Sequence, residues 1–210
     1  MATIRNPSDF DAESVGSASN VMLLAPSPDS AGSEVCAELL SVQRPSEEDV
    51  LAVTLDVSPD EWLDRWERNV GPERPAKTSF VTVDDQTRSV AASATADSAL
   101  PGGMRIHTAS SPTDLTGIGV RISEQLSDWD TDDNRTIVDF DSLTALLESN
   151  EQQSVFKFIH FLSGRITTAD ALAHYHMDPA AHEDQEIKTF ESVMDAVVEV
   201  EEDGTCSVSS

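Results

Sequence analysis

Six short apolar runs, Val21 to Ala25, Val50 to Leu55, Ser79 to Val83, Met104 to His107, Thr136 to Phe140 and Ala171 to Met177, recur along the chain with helix-length intervals between most of them. A parallel strand cannot return through a tight turn and needs a crossover of a dozen or more residues, usually helical. Apolar runs without polar alternation belong to strands covered on both faces. The spacing therefore predicts an α/β fold in three layers, a mostly parallel sheet with helices on both faces.

The intervals carry helix signals of their own. Ser58-Pro59-Asp60-Glu61 offers an N-cap hydroxyl, a proline where its missing N–H costs nothing, and an acid in the first turn, followed by the stripe Trp62, Leu63, Trp66 and Val70. Ser111-Pro112-Thr113-Asp114 repeats the device ahead of Leu115, Ile118, Ile122, Leu126 and Trp129. Two more stripes run through Val155, Ile159 and Leu162, and through Ile187, Phe190, Met194 and Val197. Small polar residues and Pro101-Gly102-Gly103 mark Asp84 to Gly103 as a long surface loop. The first 19 residues lack a periodic pattern, so residues 1–19 and 206–210 read as tails around one domain over 20–205.

Thirteen Lys and Arg stand against 39 Asp and Glu, a net charge of −26. The acids are spread from Asp9 to Asp203 instead of forming one block, which points to a surface adapted to multimolar salt and not to an acidic tail. Such a field repels phosphate backbones, and no basic patch offsets it, so nucleic acid is not an expected partner. No run reaches the roughly twenty apolar residues of a membrane span, and no leader pattern opens the chain. A cytoplasmic protein is expected, with protein partners or self-association. Cys36 and Cys206 lack metal-type spacing and read as a buried small residue and a tail thiol.

Val21 to Ser33 has the layout of a phosphate-binding loop: a buried strand, a small-residue turn, and a helix opening near Gly32. In a working loop a lysine reaches the β and γ phosphates and a hydroxyl holds magnesium. Here Ala25 replaces the first glycine, Ala31 falls about where the lysine belongs, and Asp29 and Glu34 add negative charge. Loss of a cation and gain of acids both disfavour a triphosphate.

Leu51 to Asp60, with Asp56 ahead of Ser58-Pro59, resembles the KaiC-type subgroup of RecA-like ATPases. There the strand ends in two acids that activate water; Asp56 matches the first and Val57 replaces the second. Arg135 to Leu143 is similar to the Walker B strand of that subgroup, with Asp141 in the place of the magnesium-orienting aspartate. An alternative reading makes Asp141 a helix cap. Asp114 to Gly119, Ser142 to Leu147 and Ala173 to Pro179 resemble a family of KaiC-like proteins from halophilic archaea without an established activity. The resemblance implies a RecA/KaiC-like core with a degenerate nucleotide site made of Ser30, Gly32, Ser33, Asp56 and Asp141.

His174 and His176 share one face of a strand, with Asp178 at its end, so a His-His-Asp metal site is geometrically open to them; His182 lies one turn on. They can instead hydrogen-bond to neighbouring loops. Three functions follow. The first is a non-catalytic regulator or signal-transduction protein of a halophile with degraded ATPase signatures; the second binds nucleotide without hydrolysis; the third is a small metal-dependent enzyme at His174, His176 and Asp178. No cofactor is expected under the first, and ATP with magnesium under the second.

Overall fold

The computed structural model describes residues 2–4, 10–26, 30–83, 97–99, 104–131, 133–201 and 203–210. In chain order the strands and helices are β1 (Ala2–Ile4), β2 (Asn20–Leu24), α1 (Ser30–Leu40), β3 (Glu48–Thr54), α2 (Pro59–Asn69), β4 (Lys77–Val83), β5 (Asp97–Ala99) and β6 (Arg105–Ala109). They continue as α3 (Leu115–Trp129), β7 (Arg135–Asp141), α4 (Leu143–Ser149), α5 (Gln152–Thr168), β8 (Leu172–Met177), α6 (Asp184–Glu191), β9 (Ala196–Val200) and β10 (Cys206–Ser209). All ten strands form one sheet in the order β1-β10-β9-β2-β8-β7-β3-β4-β6-β5.

The six interior pairings from β9 through β6 are parallel, and only the edge pairs β1/β10, β10/β9 and β5/β6 are antiparallel. Alternation of side chains across the sheet divides the core in two. One face buries Met22, Leu51, Val53, Val138, Phe140 and Tyr175 under α3 to α6. The other buries Val21, Leu23, Val50, Ala52 and Ile137 under α1 and α2. This is the three-layer, mostly parallel α/β architecture that the apolar runs predict.

Local chemistry fixes the helix starts. Ser58 Oγ accepts from Glu61 N–H at 3.3 Å with Pro59 in the first turn, and Ser142 Oγ accepts from Ala145 N–H at 3.1 Å. α3 begins later than its Ser-Pro pair suggests, because Asp114 and not Ser111 is the cap, its Oδ1 accepting from Gly117 N–H at 2.8 Å. Hydrogen bonds from Gly117 and Ser110 hold the Asp114 carboxyl below the usual range.

Three expectations are corrected. Both terminal segments contribute a strand to the sheet: β10 pairs with β9 and carries β1 on its outer side, while Phe10, Ala12 and Val15 are buried and Phe10 and Val15 pack in the core under α1 and α2. Cys206 is accordingly buried in β10 and not a tail thiol. The last stripe is not one helix, since α6 ends at Glu191 and Val197 stands in β9, a valine-rich strand whose positions alternate buried and half-buried. Of the predicted surface loop, residues 84–96 and 100–103 lie outside the described residues, and residues 97–99 form the edge strand β5.

Candidate functional site

β7 and β8 lie side by side and parallel, with Asp139 opposite His174 in register. Because side chains repeat every two residues, Asp139 and Asp141 on β7 fall on one face with His174 and His176 on β8. That face is the one under α1 and α2. The alternate residues Val138, Phe140, Ala173, Tyr175 and Met177 enter the opposite, hydrocarbon layer.

The inner half of the site is closed. His174 Nε2 lies 2.9 Å from Asp139 Oδ1 and 3.4 Å from Cys36 Sγ, which α1 brings over the strands. Trp62 of α2 donates its indole N–H to Asp139 Oδ2 at 2.6 Å. Trp62 is itself wedged against Trp66 and edge-on to Phe80, with ring centroids 5.4 Å apart in both cases. His174 is fully buried and Asp139 nearly so. Burial pushes the Asp139 carboxyl upward, but the His174 imidazole and the Trp62 N–H outweigh it and hold the group below its usual range. Burial drives the Cys36 thiol well above its ordinary value, reinforced by the charges of Asp139 and Asp141.

The outer half faces a cleft of about 500 Å³ between α1 and α2, whose walls include Gly32, Ser33, Cys36, Trp62 and Arg65. Such crevices beyond the carboxyl ends of parallel strands are where open α/β sheets bind ligands. Asp141 sits in the floor, with Arg65 Nη1 3.2 Å from its Oδ2 and His176 Nδ1 3.6 Å from its Oδ1. Arg65 also reaches Glu61 at 3.2 Å, and the other ring nitrogen of His176 lies 3.2 Å from the Ala25 carbonyl. Burial alone lowers the His176 pKa, yet the Asp141 carboxylate and the Ala25 carbonyl raise it above the ordinary histidine value.

The predicted site residues divide. Gly32 and Ser33 line the cleft from the first turn of α1; Ser30 opens that helix, its side chain lying outside the described residues, as does Asp29. A Cβ on Gly32 would stand 2.8 Å from that of Ala25, so glycine is what lets α1 approach the end of β2. Asp56 is exposed just past β3, where partial burial and then the charges of Asp141 and Glu148 raise its carboxyl. Asp141 does not cap α4, a role taken by Ser142.

The His174-His176-Asp178 set is not assembled. Asp178 turns its carboxylate to Ala180 N–H at 2.9 Å, capping a short turn, and its own N–H donates to Thr144 Oγ1 at 3.0 Å. His182 is tied at 2.9 Å to Glu186 and at 3.0 Å to the same Thr144. The carboxylates that meet the two histidines come from β7 instead. Cys36, Trp62, Arg65 and Asp139 are the residues that the sequence reading leaves out, although Asp139-Phe140-Asp141 and His174-Tyr175-His176 share the same i, i+2 spacing. Among the described residues, Cys36, Asp139 and His174 each offer one ligand atom within 4.8 Å of the other two.

Fold and site together define a three-layer α/β protein with a cleft at the carboxyl ends of its parallel strands, lined by Asp139, Asp141 and His176, with His174 buried against Asp139. The chain belongs to a family of unknown function, DUF7504, whose model matches residues 18–200. No curated protein matches it. Among solved structures it is similar to a Pyrococcus horikoshii OT3 protein from a structural study, with a TM-score of 0.53 and 11% identity over 90% of this chain and 84% of that one. At that identity the likeness is one of fold. Among the described residues no helix is long and apolar enough to cross a membrane.

Proposed function

We propose that this chain is a non-catalytic regulatory module on a KaiC-like scaffold with degraded ATPase signatures, serving signal transduction in a halophile's cytoplasm. One observation carries the reading: the carboxylate of Asp141, which by resemblance would orient magnesium, faces the protein's own Arg65 and His176 with its two oxygens. A magnesium ion there would have to displace both. The phosphate side offers no compensation, since no lysine lies between Ala25 and Glu34, and Glu34 and Glu61 add charge to the cleft wall. Phosphoryl transfer depends almost wholly on cationic positioning of the γ-phosphate. The cleft's arginines, Arg65 and Arg68, both come from α2, Arg65 is engaged by Asp141 and Glu61, and the turn between β2 and α1 supplies neither lysine nor arginine.

The test is ATP turnover by the purified chain in molar potassium chloride with magnesium. No phosphate release above a protein-free blank is expected. Turnover that disappears in Asp141→Ala would overturn the reading. A nucleotide-dependent rise in melting temperature without turnover, lost in the same variant, would replace it with a nucleotide sensor.

A further inference from the structure

We propose that Cys36, Asp139 and His174 form a site for one divalent cation of the zinc class, with its fourth coordination position opening into the α1–α2 cleft. The inference stands apart from the regulatory reading, because none of the three residues is among the degenerate nucleotide-site residues Ser30, Gly32, Ser33, Asp56 and Asp141.

Geometry carries it first. Around a tetrahedral zinc ion, bonds of about 2.3 Å to sulfur and about 2.0 Å to nitrogen or oxygen set the ligand atoms roughly 3.3 to 3.6 Å apart. Cys36 Sγ and His174 Nε2 are separated by 3.4 Å, His174 Nε2 and Asp139 Oδ1 by 2.9 Å, and all three atoms lie within 4.8 Å of one another. The His174–Asp139 edge opens by about 0.4 Å on binding, and the third edge, from Cys36 Sγ to the Asp139 carboxylate, starts from within 4.8 Å.

Hydrogen bonding carries it second. A Cys-His-Asp relay for nucleophilic catalysis uses the two ring nitrogens separately, one toward the nucleophile and one toward the acid. Here the same nitrogen, Nε2, faces both neighbours, while Nδ1 is buried with no hydrogen-bond partner among the described residues. One proton at Nε2 serves two acceptors poorly. A cation at the centre of the three atoms serves all of them, with the donor directions already converging.

Charge and support complete the case. On binding, the metal replaces the Cys36 proton, which leaves to solvent, and the imidazole proton passes from Nε2 to Nδ1, so that one thiolate and one carboxylate balance a dication beside a neutral imidazole. A site of zero net charge is what a buried position tolerates. The Trp62 N–H holds Asp139 Oδ2 at 2.6 Å, leaving Oδ1 for the ion, as outer partners do in metal centres. The thiolate favours zinc or cobalt over magnesium and calcium. Cys36 and Asp139 both border the cleft, which supplies the entry path and the place for a fourth ligand such as water.

The experiment uses the full chain, stripped with chelator in molar potassium chloride and titrated with cobalt. One equivalent should bind, with thiolate-to-cobalt charge transfer in the near ultraviolet and visible bands of tetrahedral intensity, and zinc should displace it. Cys36→Ser should abolish the charge-transfer band and weaken binding at least about tenfold, whereas Cys206→Ser should keep both. Trp62→Phe should weaken binding several-fold while retaining the band. Circular dichroism of each variant checks that it is folded. Wild-type protein that binds no more cobalt than folded Cys36→Ser, or a band that survives in Cys36→Ser and vanishes in Cys206→Ser, overturns the proposal.

Discussion

The indole N–H of Trp62 donates to Asp139 Oδ2 at 2.6 Å, joining a helix on one layer to the central strand of the sheet through a buried, charge-assisted bond. Trp62→Phe keeps an aromatic ring in the pocket but removes the donor together with part of the buried ring. The variant should lose at least about 1.5 to 3 kcal/mol of stability, the range for a hydrogen bond to a charged group, with the smaller ring adding to the loss. Chemical denaturation in molar salt measures it, and a change under about 0.5 kcal/mol would mean that water takes the place of the indole.

Gly32 is the close-approach point of α1. Its Ala variant brings two Cβ atoms to 2.8 Å and should destabilise by roughly 1 to 3 kcal/mol, since overpacking here meets the Cβ of Ala25 just past β2 and not the end of a flexible side chain. Ala25→Gly made in the same chain should recover most of the loss. A double-mutant cycle reads the coupling directly, and additive effects would place the strain elsewhere.

Glu48 gives a prediction with a sign in pH. Burial pushes its carboxyl above the ordinary range despite the opposing Gln43 N–H and Arg135, and its Oε2 has no hydrogen-bond partner among the described residues. The folded state therefore keeps this proton to higher pH than the unfolded chain does, and stability is lost as pH rises between the two values. Glu48→Gln removes that loss while its amide oxygen still accepts from Gln43. Melting temperature should rise by about 2 to 4 °C at pH 7.5 and change little at pH 4, measured against wild type in the same buffers.

The charge of −26 predicts strong salt dependence. Moving from 0.1 M to 1 M salt shortens the screening length from about 10 Å to about 3 Å, which removes most repulsion among exposed carboxylates. Melting temperature should climb steeply across that range. A flat response would count against the salt-adapted surface.

The strands and the three layers are legible in the sequence because buried parallel strands are continuous apolar runs, and the Ser58-Pro59 start of α2 is legible because a cap is local chemistry. The edges are less so: Ala2–Ile4 and Cys206–Ser209 are short, and what orders them is pairing with each other and with β9, across the whole length of the chain. The site is half legible. His174 and His176 stand out by spacing alone, but their partner depends on which strand lies alongside β8. Asp178 is nearest in sequence and turns away, while Asp139 is 35 positions distant and sits opposite His174 in register. Cys36 carries no spacing signal, because its place in the cluster follows from how closely α1 approaches β2.

The alternation along β7 has a consequence for how the chain reaches its native state. Ile137 faces the α1–α2 layer together with Asp139 and Asp141, and Val138 and Phe140 face the hydrocarbon layer. Were β7 to dock one residue out of step, both carboxylates would be driven into oil and the phenyl ring of Phe140 toward the open cleft. The acids that furnish the floor thus also help to specify the sheet's alignment, since a misaligned β7 would bury two charges in hydrocarbon.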